Sequence, residues 1–174
     1  LPKRLSAEQI ASRTLCSADN GEIFLKRRGA TINAYTPKSY QQACLESLKA
    51  TRESGKTKAL VVMASGLGKT MTSIFDIKQF FEDNSDNERV LILCHSEAIL
   101  NQTKDVFKRN FGDIYSYGMY NHAQKTRRRT DFLFANLQSV NLHLDDFDPC
   151  EFDYILVDEA HHAPAETYRK AIEY

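Results

Sequence analysis

Two periods of hydrophobic and polar positions run through this chain. Ala59-Leu60-Val61-Val62 is apolar without a break, and Met71, Ile74, Ile77 and Phe81 then recur at helical spacing. The first pattern predicts a strand and the second a helix, so Met63-Ala64-Ser65-Gly66-Leu67-Gly68-Lys69-Thr70 between them reads as a tight turn opening a helix N-terminus. Further on, Arg89 to Cys94 predicts a buried strand, and Ser96 caps a helix with Leu100, Phe107 and Phe111 along one side. Ile114 to Tyr117, Asp131 to Ala135 and Tyr154 to Val157 predict three more strands. Upstream, a helix starts at Tyr35-Thr36-Pro37-Lys38 and carries its apolar face on Tyr40, Ala43, Cys44 and Leu48. Strands alternating with helices predict an α/β fold: a mostly parallel sheet, helices on both faces, and a ligand in the crevice at the strands' C-terminal ends.

Residues 1–33 form a separate lead-in. Ser6 and Gln9 make a capping box for a helix over 6–18, Asn20-Gly21 ends it, and Ile23, Phe24 and Leu25 suggest a short strand before Gly29. Nothing in that stretch is a chemical motif.

The turn at 63–70 has the chemistry of a phosphate cradle. Gly66 and Gly68 let backbone N–H groups turn inward, the helix start presents unpaired donors and a positive dipole end, Lys69 adds a point charge, and the Thr70 hydroxyl suits Mg²⁺. A polyphosphate fits there, with Ser65 and Leu67 completing the loop. Met63 stands where the generic eight-residue pattern has Gly, so the second site decides the reading. The strand Tyr154-Ile155-Leu156-Val157 ends in Asp158-Glu159. One acid there can hold Mg²⁺ through its water shell, and its neighbour can orient a water for in-line attack on a terminal phosphate.

Together, Ala64-Ser65-Gly66-Leu67-Gly68-Lys69-Thr70 and Asp158-Glu159-Ala160-His161 resemble motifs I and II of the superfamily 2 helicases and translocases, in which Ala commonly opens the loop. The spacing resembles, more narrowly, the branch holding the motor subunits of type I and type III restriction enzymes and related DNA-repair helicases. The resemblance covers residues 34–174 and implies the first RecA-like lobe of a P-loop NTPase, with ATP and Mg²⁺ as cofactors. It makes Glu159, Asp158 and Lys69 catalytic, Thr70 and Asp158 the metal-holding pair, and His161 a coupling residue toward a partner lobe. Tyr40-Gln41 resembles the pair in which a glutamine reads the adenine edge, with Lys38 where the family often has Arg.

Composition narrows the setting. The 174 residues hold 23 Lys and Arg against 23 Asp and Glu, so any nucleic-acid contact must be a local patch. Cys16, Cys44, Cys94 and Cys150 are widely spaced, which argues against a zinc site and fits reduced thiols in a cytoplasmic protein. No apolar run reaches a membrane span, and adjacent His161 and His162 have no further ligands near them.

Candidate nucleic-acid contacts are scattered. His95 and Ser96, followed by Leu100 and Gln102, resemble motif Ia, which touches the backbone of the tracked strand; a helix cap explains Ser96 equally well. Asn136-Leu137-Gln138-Ser139 resembles the Thr-x-Gln-Ser track motif with Asn136 in place of Thr. The basic run His122 to Arg129, with Arg127 and Arg128 at its centre, is either a solvated loop or a phosphate-contacting one.

The implied function is the ATP-binding lobe of a DNA helicase or translocase, with RNA as the other polynucleotide and a nucleotide-dependent switch as the reading from another class. The implied partners are DNA, a second RecA-like lobe of the same polypeptide, and restriction or modification subunits. The chain does not begin with Met and ends soon after the acidic motif, so it is expected to be part of a longer polypeptide. In the family fold a further strand lies between the loop's strand and the acidic strand, and its absence is expected to leave a gap of about two strand spacings.

Overall fold

The computed structural model describes residues 35–84, 89–126, 128–148 and 150–160. The expected helix over 6–18, the strand over 22–28, Arg127, Pro149 and the His161-His162 pair lie outside the described residues.

In chain order the elements are α1 (Ser39–Glu53), α2 (Lys69–Asp83), β1 (Val90–Cys94), α3 (Glu97–Phe111), β2 (Tyr117–Tyr120), β3 (Phe132–Asn136), α4 (Leu137–Leu142), a 3-10 turn (Leu144–Asp146) and β4 (Tyr154–Val157). The sheet is parallel throughout, in the order β2-β3-β1-β4. Val90 faces Phe132 on one side and Tyr154 on the other, which aligns the C-terminal ends of β1, β3 and β4 along one edge.

Chain direction predicts where the helices lie. From β1 the chain passes through α3 to β2, two places away, and from β3 through α4 to β4 in the opposite direction. Right-handed crossovers in opposite directions put their helices on opposite faces. Alternation along the strands sorts the core accordingly: Val90, Ile92, Cys94, Phe132 and Phe134 meet α2 and α3 through Ile74, Ile77, Phe81, Leu100, Phe107 and Phe111. Leu91, Leu93, Leu133 and Ala135 meet Leu137 and Val140 on the other face. The first face is aromatic at its centre, with the Phe111 and Phe132 rings 4.7 Å apart and Phe107 edge-on to Phe134 at 5.4 Å.

Four expectations need correction. Ala59-Leu60-Val61-Val62 forms no strand; it pairs with no strand among the described residues, and Leu60 and Val62 are 80% and 84% exposed. β-propensity describes fit to a pleated, half-buried surface, and without a neighbouring ladder this run has no such surface. The α1 face is rotated: Gln41 and Leu45 are buried with Cys44 and Leu48 half-buried, while Tyr40 and Ala43 are exposed. The strand expected over 114–117 begins at Tyr117 and runs to Tyr120, because Ser116 is occupied by Asp131, whose Oδ2 accepts from both its backbone N–H and its hydroxyl at 2.7 Å. Ser96 is the N-cap residue of α3 but makes no side-chain capping bond.

Candidate nucleotide site

The cradle sits at the C-terminal edge of the sheet. The Leu67 N–H donates to the Ala64 carbonyl at 3.3 Å, closing a turn, and Gly66 and Gly68 both take left-handed φ angles, 81° and 79°. Only glycine holds those angles without strain. Gly68 is the N-cap of α2, so Lys69 and Thr70 are its first residues, beside first-turn N–H groups that have no acceptor within the helix. A Cβ on Gly68 would also meet Gln41 Nε2 at 3.0 Å.

Gln41 lies under this turn, buried. Its Oε1 accepts from the Lys38 backbone N–H at 3.0 Å, and its Nε2 donates to Thr72 Oγ1 at 3.2 Å with the Leu67 and Gly68 carbonyls at 3.5 and 3.4 Å. The Tyr40 hydroxyl donates to the Leu67 carbonyl at 3.2 Å. Both members of the Tyr-Gln pair therefore hold the loop itself.

The acidic pair arrives from β4. The Asp158 N–H donates to the Leu93 carbonyl, extending the β1–β4 register by one bond, and the chain turns at Glu159, whose φ is 52°. A left-handed angle at a non-glycine residue is uncommon, and here it redirects the chain straight after the strand. Glu159 Oε1 then lies 3.4 Å from Lys69 Nζ. Burial pushes the Asp158 carboxyl above the usual carboxylate range, and the Glu159 charge adds to this; the Glu159 N–H, which donates to Asp158 Oδ1 at 3.0 Å, and Lys69 oppose it. The oxygen donors offered by Asp158 and Thr70 match a hard cation such as Mg²⁺. Among the described residues no cluster of three or more His, Cys, Asp or Glu could hold a metal.

The expected nucleic-acid contacts divide. Asn136 is buried, its Oδ1 accepts from the Gln138 and Ser139 N–H groups, and its Nδ2 donates to the His95 carbonyl at 3.0 Å. It caps α4 and fastens the ends of β1 and β3, leaving His95 and Ser96 half-buried on the same edge as the cradle. The basic run is not a free loop: Lys125 bridges to Tyr120, and Thr126 exchanges bonds with Met119. This antiparallel return covers the outer edge of β2, and Arg128 follows it, exposed, on the way back to the start of β3.

Sequence reasoning missed one further group. Asp76, on α2, accepts from Arg52 of α1 at 2.8 Å and from the Tyr154 hydroxyl of β4 at 2.7 Å. An acid among Ile74, Phe75 and Ile77 on a buried helix face was the available signal.

Known proteins resemble this chain in sequence and in fold. IRC3 of Saccharomyces cerevisiae, which carries the name of an ATP-dependent helicase, is 26% identical over 141 residues, 79% of this chain and 20% of its own length. The chain thus spans about a fifth of that relative. A nuclease-deletion mutant of the type ISP restriction-modification enzyme LlaGI, solved with a DNA substrate mimic, superimposes with a TM-score of 0.58 at 22% identity, covering 73% of this chain and 15% of that one. The SWI2/SNF2 ATPase core of Sulfolobus solfataricus, solved with double-stranded DNA, gives 0.63 at 15% identity, covering 78% and 29%. These likenesses establish the fold: a parallel α/β sheet with helices on both faces, as in part of each of those proteins. Residues 34–174 match the family described as the type III restriction enzyme res subunit, and the chain belongs to that family.

Proposed function

We propose that this chain is the ATP-binding lobe of an ATP-driven helicase or translocase acting on DNA. The observation that carries the proposal is the 3.4 Å approach of Lys69 to Glu159 across the cradle, which puts the phosphate-binding cation and the water-orienting carboxylate at one point.

The chemistry follows from the groups present. The α2 N-terminus and Lys69 bind the β- and γ-phosphates, and Lys69 exchanges Glu159 for phosphate as they enter. Thr70 and Asp158 would hold Mg²⁺, partly through its water shell, and the ion would supply charge neutralisation for the phosphates. Glu159, released from Lys69, orients a water in line with the γ-phosphate, a positioning task rather than a covalent one. Gln41 connects the adenine side of the nucleotide to the loop through its bonds to Thr72 and the loop carbonyls. His95 and Ser96 face the polynucleotide backbone, their support being their place on the cradle's edge. A second lobe contributes an arginine to the transition state, a contribution of about 10³-fold or more in related phosphoryl transfer, so this chain alone binds Mg·ATP but hydrolyses it poorly. Restriction or modification subunits are the proposed larger assembly.

The test is the ATPase rate of the full-length protein without polynucleotide and with duplex DNA, single-stranded DNA or RNA, alongside Lys69→Ala. Stimulation by DNA that Lys69→Ala abolishes is expected. Stimulation by RNA alone would replace the proposal with an RNA helicase, and a low rate indifferent to all three would leave a nucleotide-dependent switch.

A further inference from the structure

The cradle and the acidic pair belong to different elements, α2 and β4, which share no backbone ladder among the described residues. Side chains tie them at two levels. At the open end Lys69 meets Glu159. About two turns further along α2, roughly 10 Å, Asp76 meets the Tyr154 hydroxyl at 2.7 Å, and Phe80 packs edge-on against the Tyr154 ring at 5.3 Å. Tyr154 precedes Asp158 by four residues, roughly 13 Å of strand.

The same carboxylate also anchors α1. Arg52 Nη1 lies 2.8 and 2.9 Å from the two Asp76 oxygens, in the last turn of the helix whose first turn carries Gln41 and its bond to Thr72. Asp76 is thus the one group among the described residues bonded to both of the other elements that reach the site. It is 1% exposed, and burial beside it keeps the Tyr154 hydroxyl protonated, its pKa raised far above the usual phenol value. A buried carboxylate carries a large desolvation cost unless it is paired and hydrogen-bonded, and both Asp76 oxygens accept here. The cheaper solution for stability alone is an apolar residue of similar size.

We propose that Asp76, with Arg52 and the Tyr154 hydroxyl, is a positioning node that sets the separation between the phosphate cradle and the Asp158-Glu159 pair. It touches neither nucleotide nor water; it acts through α2 and β4. Phosphoryl transfer is mostly positioning, and a shift of about 1 Å at the reacting groups can cost about 10²-fold. Phosphate binding rests mainly on the α2 N-terminus and Lys69, whereas hydrolysis also needs Glu159 in register with them. Loosening the node therefore lowers kcat and spares nucleotide binding.

This inference rests on the ATPase reading. The experiment is the DNA-stimulated ATPase of the full-length protein, comparing wild type, Lys69→Ala, Tyr154→Phe and Asp76→Asn, with the affinity for a non-hydrolysable ATP analogue measured beside it. Tyr154→Phe deletes one hydroxyl and keeps the ring on Phe80, so it tests the node even where Asp76→Asn fails to fold. Expected for Tyr154→Phe is a kcat lowered by about tenfold with KM and analogue affinity within about twofold of wild type. A kcat equal to wild type at temperatures where the variant is folded overturns the node and leaves it a structural ion pair. Equal loss of kcat and analogue affinity overturns it as well, because the cradle itself would then have moved. If wild type shows no activity that Lys69→Ala removes, the ATPase reading fails first and takes the node with it.

Discussion

Toward β3, β1 shares its whole length with a neighbour, and the side chains of both are roofed by α2 and α3 around Phe107, Phe111, Phe132 and Phe134. Toward the cradle the picture changes: β4 has a ladder on one side only among the described residues, and the apolar approach Ala59-Leu60-Val61-Val62 pairs with nothing described. The two regions have similar sequences, short runs of Val, Leu and Ile, and different fates. The first is held by packing from both faces. The second is held at its far end, through Gln41, Tyr40 and the α2 residues that reach the core. The glycine turn is therefore hung from helices, and among the described residues nothing ties its incoming chain to the sheet.

That contrast is breakable. Phe107→Ala, at 0% exposure in the closed region, should cost about 3–5 kcal/mol in urea unfolding; a loss under about 1 kcal/mol would show that the aromatic cluster is not the core. Glu159→Gln should lower ATP turnover of the full-length protein by about 10²-fold or more while the unfolding midpoint stays in place, since the group is partly exposed and its proposed task is to orient water. Gly68→Ala forces a left-handed φ on a residue with a Cβ and presses on Gln41, so a stability loss of about 1–2 kcal/mol with weakened nucleotide binding is expected. Wild-type affinity in that variant would show that the cradle tolerates another backbone. Leu60→Ser should change stability of this chain by no more than about 0.5 kcal/mol. A larger loss would mean that the run packs against residues beyond those described.

The thiols sharpen the same contrast chemically. Cys94 is buried at the end of β1, and burial, with Asp158 adding to it, pushes its thiol up to about 12; Cys150 is exposed. Only the thiolate attacks an alkylating agent, so Cys150 should label at neutral pH while Cys94 stays protected until the protein unfolds. Labelling of Cys94 at the rate of Cys150 in the folded protein would place β1 in the open region.

Much of this was legible beforehand. The helical spacing of Ile74, Ile77 and Phe81, and of Leu100, Phe107 and Phe111, located the two core helices, and all six side chains are buried. That the glycine turn and the acidic pair come together was readable because their spacing puts each at a strand or helix end, and Lys69 and Glu159 lie 3.4 Å apart. Asn136 was legible as a cap, and the cap bonds are present. The basic run was ambiguous for a physical reason: charge shows solvation, whereas the return that covers β2 is built by backbone bonds at Lys125 and Thr126.

Local pattern, then, determined which segments are helices, which turn opens on glycines at a helix start and which acids end the strand facing it, because periodicity, glycine and charge act over a few residues. Tertiary structure alone decided that Ala59-Leu60-Val61-Val62 is not a strand, that Gln41 supports the loop from below, and that Arg52, Asp76 and Tyr154 meet. Those outcomes depend on partners 24 to 78 positions apart in sequence or on the lack of a described one; a ladder leaves no local signature, and an acid among apolar residues shows that a charge is buried but not which partners meet it.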